Sequence, residues 1–232
     1  MLRRQFLQGG VALAAVLAAS EGRAQPAPGS EDAKLRALLD AFFQEDLDGA
    51  PEFATALGLD VGDKAGLRSK LSDMSSAGRK DWVADHRARL TRLAGINASK
   101  LTPAGKTDRD VVAYAYTRVA EGGERFAFGE SAAGFSYAPY SPYVVSQLSG
   151  AYQSVPDFLD SQHPVKTASD AEAYLARLDA FPAALDANTA GLQADAARGV
   201  LAPDFALDAT LAQLTKLRAP AGAQSGLAMS LA

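Results

Sequence analysis

The 232-residue chain contains no cysteine, only two histidines and one tryptophan. Without cysteine there can be no disulfide framework, no thiol catalysis and no thiolate metal site. Basic excess is also missing, since 23 Lys and Arg face 27 Asp and Glu for a net charge of −4. A nucleic-acid binder would normally carry the opposite balance to neutralise phosphates, so no nucleic-acid partner is expected. Long apolar runs are absent too. The best one, residues 11–19 (VALAAVLAA), is far shorter than the roughly 20 residues that cross a bilayer as a helix, which rules out an ordinary membrane anchor.

What surrounds that short run gives it meaning. Arg3 and Arg4 precede Phe6 and Leu7, the apolar stretch follows, and Gly22-Arg23-Ala24 offers small residues at −3 and −1 of a cut after Ala24. This is the order of an export leader, and the paired arginines resemble the twin-arginine signal, which engages machinery that moves folded proteins across a bacterial inner membrane. Residues 1–24 are therefore expected to be removed. That leaves 20 basic and 26 acidic side chains on a mature chain in the periplasm or outside the cell, with no membrane anchor after cleavage. Gln25–Ser30 (QPAPGS) has linker composition, and residues 31–232 are expected to form one helical domain.

Within that domain the apolar residues step by three and four rather than two. Leu35, Leu38, Leu39, Phe42, Phe43 and Leu47 share one helix face behind a Ser30 cap, and Asp48-Gly49 is expected to stop that helix. Pro51 opens a short helix to Leu57, with Gly58 at a left-handed terminus. Residues 58–74 read as a loop with at most one helical turn. Ser75 or Ser76 then caps a helix to Gly95, and Thr102-Pro103 begins another that should end at Gly122-Gly123. Arg125 to Phe128 is a weak strand candidate. Residues 129–165 are irregular and tyrosine-rich, with a short helix expected near Tyr143–Tyr152. A capping box at Ser169 and Glu172 starts a long helix that Pro182 should kink and Gly199 end. The last helix runs from about Pro203 to Pro220. The fold class is all-α, an irregular multi-helix array with little or no β structure.

Chemistry is harder to find. His86 lies on the apolar side of a helix beside Asp85 and reads as a hydrogen-bonded core or rim histidine, while His163 precedes Pro164 in a loop. Neither begins a zinc motif, so no metal ligand and no catalytic residue is assigned. Gly129-Glu130-Ser131-Ala132-Ala133-Gly134 is one residue too long for a nucleophile elbow. Glu45, Asp46 and Asp48, and Asp157 with Asp160, read as solvated carboxylates. Phe135, Tyr137, Tyr140, Tyr143 and Tyr152 could line a cleft or simply pack a long loop onto helices.

Several phrases stand out together: Phe42-Phe43-Gln44-Glu45, Pro51-Glu52-Phe53-Ala54-Thr55-Ala56-Leu57-Gly58, Asp108-Arg109-Asp110-Val111, and Ala171 to Leu178 running into Phe181-Pro182. Over roughly residues 35–230 they resemble the N-terminal part of the bacterial family called domain of unknown function 885. The resemblance implies an all-α fold similar to helical zincin-like peptidases, in proteins of about 550 to 600 residues whose HExxPGH-like motif lies in the C-terminal half. No such motif occurs here. The chain is thus expected to be scaffold and one wall of a substrate channel, with zinc, a peptide-like substrate and catalysis belonging to a full-length relative. Two other readings stay open: a self-sufficient periplasmic binding protein that uses the tyrosine loop, and an enzyme built on Glu45, Asp46, Asp157 and Asp160.

Overall fold

The computed structural model describes residues 26–129, 141–219 and 222–231. Among them the regular elements are all helical: α1 (Glu31–Gly49), α2 (Pro51–Ala56), α3 (Ser76–Ala94), α4 (Pro103–Arg125), α5 (Ala151–Ser161), α6 (Ala168–Ala196), α7 (Asp204–Arg218) and α8 (Gly226–Met229). The leader residues, Tyr137, Tyr140 and Pro220 lie outside the described residues.

Local chemistry explains most boundaries. The Ser30, Ser75 and Thr102 hydroxyls accept the amide three residues on, from Ala33, Gly78 and Gly105 respectively. Each cap of this kind contributes about 1 kcal/mol. Gly58 takes φ 68° beyond the end of α2, a conformation that costs a side chain strain but not glycine.

Four boundaries differ from the sequence expectation. Residues Gly62–Ser69 form eight residues of 3₁₀ helix, more than the single turn expected, with Leu67 buried. Helix α4 runs through Gly122-Gly123 to Arg125. Gly123 is there for packing: a Cβ on it would lie 2.3 Å from Cγ2 of Val83 on α3. The helix expected near Tyr143–Tyr152 begins only at Ala151, because the serines upstream take the backbone groups a helix would use. Ser149 Oγ donates to the Tyr143 carbonyl at 3.1 Å, and the Ser146 and Ser149 hydroxyls meet at 2.8 Å. The capping box of α6 is Thr167 with Asp170, two residues before the expected pair.

The strand candidate at Arg125–Phe128 is not a strand; the described β pairing is a single bridge between Ser146 and Ser149. Arginines hold its carbonyls instead. Arg79 donates to Phe126 and, at 2.6 Å, to Phe128, and Arg198 donates to Ala127.

Packing divides among three small apolar clusters. Helices α3 and α4 form an antiparallel hairpin, and its turn closes on α1 through Leu35, Leu93, Ile96 and Leu101. Leu47, Ala54 and Leu67 join α1, α2 and the 3₁₀ segment. The third cluster, Ala151, Val155, Phe158, Leu159, Tyr174, Phe181 and Ala184, joins α5 to α6, with Leu227 of α8 against it. A fully buried Leu, Val or Phe in such a cluster is worth roughly 1.5–3 kcal/mol.

Gly123→Ala tests the α3–α4 contact. The β-branched Val83 is stiff, so overpacking should outweigh the gain of about 1 kcal/mol in helix propensity and leave a net loss of about 1–2 kcal/mol in urea unfolding. Adding Val83→Ala should recover most of it. Equal stability of Gly123→Ala and the parent would contradict this account.

Candidate functional site

Three groups of polar side chains could carry chemistry. The first surrounds Arg177 of α6, which is completely buried. Its Nε donates to the Lys70 carbonyl at 2.8 Å. Nη2 donates to Thr55 Oγ1 at 2.8 Å and to the carbonyls of Leu67 and Pro51 at 3.1 and 3.3 Å. Nη1 donates to His163 Nδ1 at 2.6 Å, and the guanidinium carbon lies 4.7 Å from the Phe158 ring centroid. Burial pulls the Arg177 pKa down to about 10, with Glu52 and Asp60 nearby opposing the fall, so it remains charged at neutral pH.

The network continues outward. Thr55 Oγ1 donates to Asp60 at 2.8 Å, Arg68 grips both Asp60 oxygens at 2.9 and 3.0 Å, and its Nη1 reaches Asp170 at 2.8 Å. Burial alone would raise the Asp60 carboxyl, but the hydrogen bonds from Arg68 and Thr55 hold it below the usual range. Asp170 is lowered chiefly by the Lys166 backbone amide, helped by Thr167 and Arg68.

His163 is consumed by this network. Its Nδ1 accepts from Arg177, so the proton sits on Nε2, which donates to the Asp170 carbonyl at 3.0 Å. Burial and the Arg177 charge lower its pKa, against the pull of the Asp170 carbonyl. A ring with both nitrogens engaged is not a free metal ligand.

The second group lies between α1, α3 and α4. Buried Arg89 pairs with Asp46 and, at 3.1 Å, with Glu45, so these two carboxylates do more than face solvent. His86 donates Nδ1–H to the Trp82 carbonyl at 2.8 Å and packs its ring against Trp82 and Tyr116. Its pKa is also lowered, first by burial. Among the described residues no group of three His, Asp or Glu side chains is placed to hold a metal ion. The zinc that the family resemblance implies therefore does not fit these residues.

The third is a cleft of about 790 Å³ between α2, α5, the start of α7 and residues 141–150. Phe53, Met74, Phe158 and Phe205 give it apolar walls, Glu52 and Asp157 give it carboxylates, and Tyr143 lines it. Tyr152 does not: it is buried, with its hydroxyl donating to the Ser146 carbonyl at 2.7 Å and meeting the Gln213 carboxamide at 2.6 Å. Asp160 accepts from Ser230 at 2.8 Å, outside the cleft.

Sequence reasoning passed over two residues in this cleft. The side-chain carbonyl oxygens of Gln147 and Gln153 are buried without a hydrogen-bond partner. Leaving a buried acceptor unpaired costs about 1–3 kcal/mol, so each is a defect that a ligand donor could repair. Lone glutamines carry no motif, and only the fold puts them on one cavity.

Residues 51–232 match the family described as "Bacterial protein of unknown function (DUF885)". The chain belongs to the DUF885 family. A search of curated proteins gives no match. Among solved structures the chain is similar to the putative lipoprotein from Colwellia psychrerythraea, at TM-score 0.75 and 22% identity. The likeness covers 87% of this chain but 34% of that one, so this DUF885 chain spans about a third of the relative's length. At that identity the likeness speaks to fold. No helix among the described residues is long and apolar enough to cross a membrane.

The buried hub should respond to acid. A lowered folded-state pKa for His163 means that its stabilising contribution is complete above the ordinary value of 6.5 and is lost as pH falls below it. His86 acts in the same direction, and Asp60 and Asp170 extend the loss below their ordinary value of 3.8. Urea midpoints should therefore drop between pH 7.5 and 5, and His163→Gln should flatten part of that drop. Arg177→Met should cost about 3–5 kcal/mol at pH 7.5, because it removes a buried charge and strands its acceptors. A midpoint independent of pH over this range would contradict the assigned tautomer and network.

Proposed function

We propose that this chain is the N-terminal helical scaffold of an exported, zinc-peptidase-like DUF885 protein, and that its cleft forms one wall of the channel through which a peptide-like substrate is held. Zinc and the hydrolytic groups come from polypeptide outside this chain. The observation that carries the reading is the engagement of both ring nitrogens of His163, by Arg177 and by the Asp170 carbonyl, while the ring of His86 is packed between Trp82 and Tyr116. The match to about a third of a longer solved chain supports it, since most of that fold lies outside the similar region.

The purified full chain should contain substoichiometric zinc and hydrolyse no peptide, and hydrolysis should appear only after reassembly with the HExxPGH-bearing part of a longer family member. Stoichiometric zinc together with peptide hydrolysis by this chain alone would overturn the assignment.

Export follows the twin-arginine route in this reading, and the destination is the periplasm or the outside of the cell. A reporter fused behind residues 1–24 should leave the cytoplasm. Arg3→Lys combined with Arg4→Lys should retain it there, whereas unchanged export of the double variant would exclude that route.

A further inference from the structure

We infer that the cleft binds an amine: a ligand with an ammonium head on an apolar body, a class that includes the α-amino end of an apolar peptide. This rests on reading the cleft as a ligand-facing wall, and not on zinc or hydrolysis.

The unpaired groups of the cleft point to this ligand. Among the cleft's polar groups, Glu52 receives the Ser72 amide at 3.0 Å and also its hydroxyl, and Asn188 Oδ1 accepts the Ala151 amide at 2.6 Å. The Ser146 and Ser149 hydroxyls satisfy each other and neighbouring backbone. Among the buried side-chain polar atoms of the described residues lining the cleft, those without a hydrogen-bond partner are the carbonyl oxygens of Gln147 and Gln153, both acceptors. Asp157 adds an exposed carboxylate at the cleft. Among the described residues no Lys, Arg or His lines the cavity. A site with spare acceptors, two carboxylates and no cation complements a donor of positive charge and repels phosphates and carboxylates.

The remaining surface says what the rest of the ligand is. Phe53, Met74 and Phe158 supply apolar wall, and Leu148 and Phe205, 82% and 73% exposed, supply an apolar rim. A volume of about 790 Å³ suits a small organic group or a few peptide residues. The glutamine oxygens are themselves shielded, so binding requires the two carboxamides to turn about their terminal torsions, which are broad and soft. An ammonium group has three N–H donors to offer them.

Isothermal titration of the full chain at pH 7.5 with 2-phenylethylamine, and with 3-phenylpropanoate as its anionic counterpart, tests this. The amine should bind at one site, with the carboxylate weaker by at least about tenfold. Gln147→Leu combined with Gln153→Leu should weaken the amine by at least about tenfold without lowering the urea midpoint, since it removes unsatisfied acceptors. Asp157→Asn, at an exposed position, should narrow the discrimination between amine and carboxylate. No amine binding, equal affinity for the two probes, or binding indifferent to all three substitutions would overturn the inference. Failure of reassembly to yield hydrolysis would leave amine binding intact, and failure of amine discrimination would leave the scaffold reading intact.

Discussion

A guanidinium with no exposure to water holds this molecule together at its seam. The apolar clusters are small and separate, and Arg177 stands between the one formed by α1, α2 and the 3₁₀ segment and the one formed by α5 and α6. Its acceptors come from both sides: Pro51, Thr55, Leu67 and Lys70 from the first, and His163 from the segment leading into α6. Apolar contact alone would tolerate several ways of sliding two such layers. A planar fork that must meet five acceptors tolerates very few. Burying the charge is expensive, and buried ionic networks are poor evidence for net stability. Here the network fixes how the layers register, and the cleft lies along that register.

That arrangement also explains why the phrases that make the sequence recognisable point to architecture. Pro51 and Thr55 belong to one of them, Arg177 and Tyr174 to another, and the fold brings both into one hydrogen-bonded unit. Tyr174 adds an edge contact with His163, 5.4 Å between centroids, and donates its hydroxyl to the Leu227 carbonyl. The chain's two imidazoles are spent on positioning, one in this hub and one beside Arg89. Their lowered pKa values follow first from burial and then from the neighbouring Arg177 and Arg89 charges.

Helix positions were legible in the sequence where the signal was local. Ser30, Ser75 and Thr102 cap within three residues, and the heavy use of period-three-and-four apolar steps excluded sheet throughout the described residues. Signals failed where a distant partner decided the outcome. Gly123 looks like a terminator but makes room for Val83, forty residues earlier. Asp170 displaces Glu172 as the capping acid because Arg68, over a hundred residues away, already holds it. Gly150 has no side chain to cap α5, and Asn188 of α6 accepts the first amide instead. Tyr143 lies on the cleft, whereas Gln147 and Gln153 gain meaning only from burial, which no spacing rule reports.

The position of the cleft follows from an uneven distribution of packing. On one side the α3–α4 hairpin and the Arg177 hub are densely tied. On the other, α7 is anchored by buried Ala206 and Thr210 and by the bond from Tyr152 to Gln213, while Phe205 and Leu211 face water at 73% and 61% exposure. Elements with few buried contacts open at low free-energy cost, so the α7 side is the wall that can yield. The better-packed walls, α2, α5 and residues 141–150, carry both the glutamine acceptors and most of the apolar side chains, and α7 adds Phe205. The glutamine acceptors therefore sit on the better-packed side, where Phe158 lines the cleft and also stacks on the Arg177 guanidinium, so the Arg177 register positions the wall that carries them.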